Sequence, residues 1–236
     1  LDLGLERAGM ECVAQVEIED FCQQVLTKHW PNVPKFKDVR DVGKHNLPTA
    51  ELVCGGFPCQ DVSLSGHRAG LEGKRSTLWT EFYRIVCEVQ PRWVVIENVS
   101  GLLSSDNGQF FSAILWQLSQ SGYDAEWDTI PASALGAPHR RDRVFIVAHA
   151  TGGGLQGSNK PKERVGRTQA GIFPQSPRVR FNSGASGWAT ESPVPRILDG
   201  VPNRVDRIRA TGNAVVPQVA EYVGRCVMEY AAAVQV

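Results

Sequence analysis

The chain has 236 residues, 42% hydrophobic and 21% charged, with 25 Lys/Arg balanced by 25 Asp/Glu. Such a chain can bury a core of normal size as one large domain, or as one domain plus a small appendage, and it is not a low-complexity or fibrous sequence. It carries no apolar run of membrane length and no charged-then-apolar leader, so a soluble, cytoplasmic protein with no membrane partner is expected.

The six cysteines are Cys12, Cys22, Cys54, Cys59, Cys87 and Cys226. None forms a C-x-x-C pair and no His/Cys cluster has zinc spacing, which points to reduced thiols and no metal site. The zero net charge hides an asymmetry. Residues 151–210 carry ten Lys/Arg against four Asp/Glu, a local excess of +6. A basic segment points weakly to nucleic acid and equally to a solvated loop-rich face.

In chain order, residues 1–9 read as a helix ending at Gly9, and Cys12–Glu17 as a strand with an acid at its carboxyl end. Residues 20–28 form the next helix, with Phe21, Val25 and Leu26 on one face. A short segment over 34–42 carries Asp38. Residues 50–54 are a strand that runs into Gly55-Gly56-Phe57-Pro58-Cys59-Gln60. Residues 77–89 are a helix whose apolar stripe is Leu78, Phe82, Ile85, Val86 and Val89, stopped by Pro91. Residues 93–96 (WVVI) form a strand buried on both faces that ends in Glu97-Asn98. Residues 106–121 are a helix with Phe110, Phe111, Ile114, Leu115 and Leu118 inward. Residues 123–130 and 143–148 are strands. Residues 151–192 lack periodicity and are rich in Gly, Ser, Pro and basic residues. Order returns at Arg204, and residues 216–233 form an amphipathic helix with Val219, Tyr222, Val223, Cys226, Val227 and Tyr230 on one stripe. Cys54, Cys87 and Cys226 are read as core.

Strands alternating with amphipathic helices give an α/β fold, with a mostly parallel sheet and helices on both faces. Ligands of such sheets sit beyond the carboxyl ends of the strands. Glu17, Asp38, Cys59 and Glu97 all fall at or just past those ends. Cys59 in particular follows a strand and two glycines, ahead of a polar, glycine-punctuated run, as a nucleophile under a mobile flap would.

Four of these stretches together resemble the DNA cytosine-5 methyltransferases of the bacterial and phage type. They are Gly55-Gly56-Phe57-Pro58-Cys59-Gln60, Glu97-Asn98-Val99, Arg140-Arg141-Asp142-Arg143 and Gly212-Asn213-Ala214-Val215-Val216-Pro217, in the family's order. Pro-Cys-Gln alone is a weak signal; the ordered set is a strong one. The resemblance implies a Rossmann-like methyltransferase sheet plus a small irregular target-recognition region. Residues 1–150 would be the catalytic and S-adenosylmethionine-binding domain, 151–203 the target-recognition region, and 204–236 a segment returning to the catalytic domain.

The chemistry accounts for the residue types. Cytosine C5 is a weak nucleophile until a thiolate adds at C6, and a thiolate forms at neutral pH only in an electropositive setting. The resemblance makes Cys59 the C6 nucleophile, with Arg141 and Arg143 supplying positive charge. Glu97 would bind N3 and the exocyclic amine, and Arg143 would bind O2. Glu17 would hold the ribose hydroxyls of S-adenosylmethionine and Ile18 would pack on its adenine. Asp38 would accept the adenine amino group beside Val39, and Pro58, Leu78, Asn213 and Val215 would complete the pocket.

Double-stranded DNA is the expected partner, its cytosine flipped out of the stack. Residues 63–74 would close over the base, hinged at Gly66, Gly70 and Gly73. Gln60, Ser63, Ser65, His67, Arg68, Lys74 and Arg75 are its candidate DNA contacts, and Arg164, Arg167, Arg178, Arg180 and Asn182 those of the recognition region. His139 stands where the family has glutamine.

The chain opens at Leu1, past the family's first strand and glycine-rich cofactor turn. An incomplete cofactor site, with two strand edges left unpaired in mid-sheet, is therefore expected. The expected assembly is a monomer, solitary or acting beside a separate cognate restriction endonuclease. An RNA cytosine-5 methyltransferase and a catalytically silent DNA-binding remnant are the alternatives.

Overall fold

A computed structural model describes residues 1–58, 77–151, 171–173 and 203–234, save for the side chains of Thr77 and Ile208. The helices are α1 (Asp2–Arg7), α2 (Asp20–His29), α3 (Thr77–Val89), α4 (Gln109–Gln120), α5 (Arg204–Asn213) and α6 (Pro217–Val234). The strands are β1 (Gln15–Val16), β2 (Lys35–Phe36), β3 (Leu52–Gly56), β4 (Trp93–Val99), β5 (Tyr123–Pro131) and β6 (Asp142–Ala150). Among the described residues the strands form two sheets. One is the parallel pair β1-β2, and the other is four-stranded in the order β3-β4-β6-β5. β3 and β4 run parallel and β4 and β6 antiparallel, so the α/β fold is observed with a mixed second sheet. No helix among the described residues is long and apolar enough to cross a membrane.

The chain divides into two compact units. The first comprises the described parts of Leu1–Val42, Pro131–Arg141 and Val179–Arg225. The second comprises the described parts of Gly43–Ile130, Asp142–Arg178 and Cys226–Val236.

The second unit holds the larger core. One face of its sheet presents Val94, Ile96, Val144, Ile146 and Ala148 to Val86 of α3 and to Phe111, Ile114 and Leu118 of α4. The buried rings end in satisfied polar atoms, as burial requires. Trp79 Nε1 donates to Gln117 Oε1 at 2.6 Å, and the Tyr123 hydroxyl to the Pro91 carbonyl at 2.7 Å. On the opposite face the Tyr230 ring of α6 meets Trp93 edge-on and His149 at a tilt. Helices therefore cover both faces.

Helix α3 has the expected bounds, but its buried face is rotated toward Trp79, which is 5% exposed, while Leu78 is 38% exposed. Trp79 makes ring contacts with Phe57, Phe82 and Tyr83. Helix α4 starts at Gln109 rather than Asp106, because Asp106 (φ 49°) and Asn107 (φ 55°) are left-handed. Asn and Asp tolerate that conformation better than other non-glycine residues. Cys226 is buried as expected, whereas Cys54 and Cys87 are only half-buried.

In the first unit α1 crosses α6 so closely that a Cβ on Gly4 would lie 2.4 Å from that of Ala220. Helix α2 buries none of its residues, contrary to the apolar face expected of Phe21, Val25 and Leu26. Arg207 of α5 lies over the Phe21 ring at 5.9 Å. Helix α5 was not foreseen: its sequence, RVDRIRATGN, has too few apolar residues to form a stripe.

Candidate active site

In the second unit the carboxyl end of β4 meets the start of β6. Val99 pairs with Arg143 and Glu97 with Phe145, so all four side chains share one face. Glu97 and Arg143 are diagonal neighbours on that face, within reach of each other for long side chains. Arg143 Nε lies 2.9 Å from Glu97 Oε1, a charge-assisted contact, and the side chains are 18% and 12% exposed. A glutamate can occupy this buried position because a guanidinium meets it there.

Gly56 makes the room. It is the register partner of Glu97 in the parallel β3-β4 pair. A Cβ there would lie 2.9 Å from Glu97 Oε2 and 3.1 Å from its carbonyl oxygen. Any side chain at the glycine preceding Phe57-Pro58-Cys59 would therefore crowd the glutamate on the next strand.

Asn98 points to the opposite face and is 3% exposed. Its Nδ2 donates to the Phe57 carbonyl at 2.9 Å, and its Oδ1 accepts from Val99 N at 2.9 Å. Asn98 thus fixes the backbone two residues before Cys59. Asn98 stands in the Glu97-Asn98-Val99 motif, where the resemblance alone assigns it no role. The available signal was a second polar residue, next to Glu97, at the end of a strand buried on both faces.

In the first unit the carboxyl ends of β1 and β2 lie side by side. Gln23 Nε2 donates to the carbonyls of Glu17 (2.7 Å) and Phe36 (3.0 Å), tying the two ends together. This brings Glu17 and Ile18 to the same rim as Asp38 and Val39. Glu17 Oε1 accepts from the Glu19 amide at 2.9 Å. Ile18 is 57% exposed beside it, a flat apolar surface open to a ring. Asp38 caps a short 3-10 turn, Val39–Asp41: its Oδ1 accepts from the Arg40 amide at 2.9 Å and from Arg40 Nε at 2.9 Å. These bonds hold its carboxyl well below the usual range, at about 2, with the Arg40 side chain the main cause. Among the described residues this rim fits an adenosine group: an acid for hydroxyls, an exposed aliphatic for the base, and a second acid beside it.

Leu78 and Pro58 are exposed, Asn213 is exposed at the end of α5, and Val215 is half-buried. Arg141 reaches the carbonyls of Gly212 and Ala214 at 2.7 and 2.6 Å. Cys59, Gln60, Ser63, Ser65, His67, Arg68, Lys74, Arg75, Arg164, Arg167, Arg178, Arg180 and Asn182 lie outside the described residues.

A model of the C-5 cytosine-specific DNA methylase family matches residues 1–183. The chain belongs to that family. It is 33% identical over 152 residues to the Type II methyltransferase M2.BsuMI of Bacillus subtilis, covering 63% of this chain and 39% of the relative. It is 31% identical over 160 residues to the Type II methyltransferase M.HhaI of Haemophilus parahaemolyticus, covering 68% of this chain and 49% of the relative. The chain therefore spans half or less of the length of these curated relatives.

Among solved structures, the chain resembles a protein assigned as a DNA modification methyltransferase encoded within an E. coli prophage. The TM-score is 0.52 at 27% identity, covering 63% of this chain and 42% of that one. A DNMT2 of Spodoptera frugiperda shares the fold alone, with a TM-score of 0.52 at 16% identity, covering 68% of this chain and 49% of that one. The Rossmann-like methyltransferase fold is thus established by sequence and by structure.

Proposed function

We propose that the chain carries the catalytic apparatus of a DNA cytosine-5 methyltransferase, acting on a cytosine flipped out of duplex DNA, solitary or within a restriction-modification system. The observation that carries this reading is the buried Glu97–Arg143 pair, seated beside the strand that leads to Cys59 in a chain of this family. N3 and O2 are neighbouring positions on the cytosine edge. A carboxyl and a guanidinium held side by side complement that edge.

The Cys59 thiolate adds to C6, and the electron pair of the C5–C6 double bond shifts toward N3 and O2. Glu97 holds N3 and the exocyclic amine, and Arg143 donates to O2, where negative charge develops. Bound S-adenosylmethionine supplies the sulfonium methyl group for C5. Loss of the C5 proton to water then restores the double bond and expels the Cys59 thiolate. Glu17, Ile18, Asp38, Val39, Pro58, Leu78, Asn213 and Val215 would hold the cofactor. Residues 151–203 would read the target. Gln60, Ser63, Ser65, His67, Arg68 and Arg75 would contact DNA from the catalytic side, and Arg164, Arg167, Arg178 and Arg180 from the recognition side.

The test is transfer of a labelled methyl group to duplex DNA, with transfer RNA as a parallel substrate. Label in DNA that vanishes with Cys59→Ser is expected, and activity persisting in that variant would sink the mechanism. Fluorine in place of the C5 hydrogen blocks the last proton loss, so DNA containing 5-fluorocytosine should trap the adduct as a covalent species on a denaturing gel. Label in transfer RNA alone would overturn the choice of substrate.

A further inference from the structure

The two arginines that the sequence sets together have different backbone settings. Arg143 lies in β6 and meets Glu97. Arg141 precedes the strand. Residues two apart in an extended strand share a face, but Arg141 has φ +35°, in the left-handed region, which breaks the alternation before β6 begins. Such a conformation in a non-glycine residue persists only where surrounding contacts hold it.

Those contacts are at the end of α5. Arg141 Nη2 donates to the carbonyl oxygens of Ala214 at 2.6 Å and Gly212 at 2.7 Å, with that of Thr211 at 3.5 Å. These belong to the last turn of α5 and its cap, where carbonyls lack an intrahelical donor and the helix dipole places partial negative charge. A guanidinium suits this place because its planar fork keeps its charge and meets several acceptors at once. Asn213 and Val215 stand within and beside the clamped turn, immediately ahead of Pro217, where α6 starts.

We propose that Arg141 is a positioning residue: a cationic latch that fixes the turn from Thr211 to Ala214 and thereby the placement of Asn213 and Val215 toward the cofactor. The latch rests on the contacts alone; its consequence for the cofactor rests on the function proposed above. Arg141 thus acts on the methyl-donor side of the reaction, and Arg143 on the base.

Hydrogen–deuterium exchange and S-adenosylmethionine titration of the full chain, with Arg141→Ala and Arg141→Lys, test both parts. Arg141→Ala should speed exchange of the 211–216 amides by about tenfold, the loss expected when a charged donor leaves its acceptors, with β4 and β6 unchanged. It should raise KM for the cofactor by a similar factor with kcat nearly unchanged, and Arg141→Lys should recover part of both. Unchanged exchange at 211–216 would overturn the latch. Faster exchange with unaltered cofactor affinity would overturn the positioning role, and a fall in kcat at constant KM would return Arg141 to thiol activation. A wild-type chain that binds no S-adenosylmethionine would count against the cofactor reading itself, and the exchange comparison would still decide the latch.

Discussion

Glu97 and Glu17 both stand at the carboxyl end of a parallel strand, but one is held by its sheet and the other by its own turn. Glu97 is 9% exposed, and its guanidinium partner comes from a strand distant in sequence. Glu17 and Asp38 accept from amides two residues along the chain and are far less enclosed. A group that must stabilise charge on a reacting base benefits from a dry, preorganised setting. In the function proposed above, Glu17 and Asp38 would meet hydroxyls and an adenine edge, which requires open access and correct placement. The same location in the fold therefore supports two kinds of acid, separated by how much of the protein holds each in place.

The sharpest way to break that contrast is at Glu97. Glu97→Ala leaves Arg143 buried beside no carboxylate, and loss of one partner of such a pair should destabilise the fold by about 3 kcal/mol. The same variant should lower kcat by at least about a hundredfold, since the charge on N3 loses its partner. Denaturant unfolding and turnover measured together check it. A fully stable but inactive variant would mean that the pair is not part of the scaffold. Gly56→Ala attacks the same glutamate from the neighbouring strand. Its methyl group would sit 2.9 Å from Glu97 Oε2 and 3.1 Å from the Glu97 carbonyl oxygen, so a loss of about 1 kcal/mol is expected, with activity falling alongside. Activity that survives Gly56→Ala would show that the carboxylate can move without consequence.

How much of this was legible in the sequence follows the same division. The four motifs and their order led to the family, and the stripe of α3 led to its bounds over 77–89. Glu17 and Asp38 could be placed because their settings are local. The Glu97–Arg143 contact could not, because it depends on β6 running antiparallel to β4 in one particular register. The steric role of Gly56 and the bond from Asn98 to Phe57 depend on cross-chain geometry in the same way. Helix α5 leaves no apolar stripe in sequence; its contacts are to Phe21 of α2, to Glu19 and from Arg141. The contacts of Arg141 with the end of α5 were not legible either, because a positive φ in a non-glycine residue leaves no mark in sequence.

A smaller effect comes from titration within the second unit. His149 lies between Trp93 (5.6 Å) and Tyr230 (5.3 Å), and its buried Nδ1 has no hydrogen-bond partner. Burial pushes its pKa below the ordinary 6.5. The unfolded chain therefore binds the proton more readily than the folded one. The stabilising contribution is complete above about pH 6.5 and is lost as pH falls below that value. Melting temperature should decline between pH 7.5 and 5.5, and His149→Phe should flatten that decline. An equal decline in the variant would assign the pH dependence elsewhere.

The smallest expected effect on stability is at Asp38, and it is the most discriminating. Its carboxyl is held at about 2 by Arg40, so any stabilisation is present above about pH 4 and is lost only as pH falls toward 2. The pair is exposed and local, and salt screens it. Asp38→Asn should accordingly leave the melting temperature at pH 7 within about 2 °C of the wild type, with no difference left in high salt. If the rim holds an adenine amino group, the same substitution replaces an acceptor with an amide that can present a donor to it, and cofactor affinity should fall by about tenfold. The contrast between the two acids then becomes a measurable pair: Glu97 variants lose stability and turnover together, while Asp38→Asn loses ligand binding alone. Equal loss of stability at both positions would show that the first unit's rim is as much a part of the scaffold as the second's.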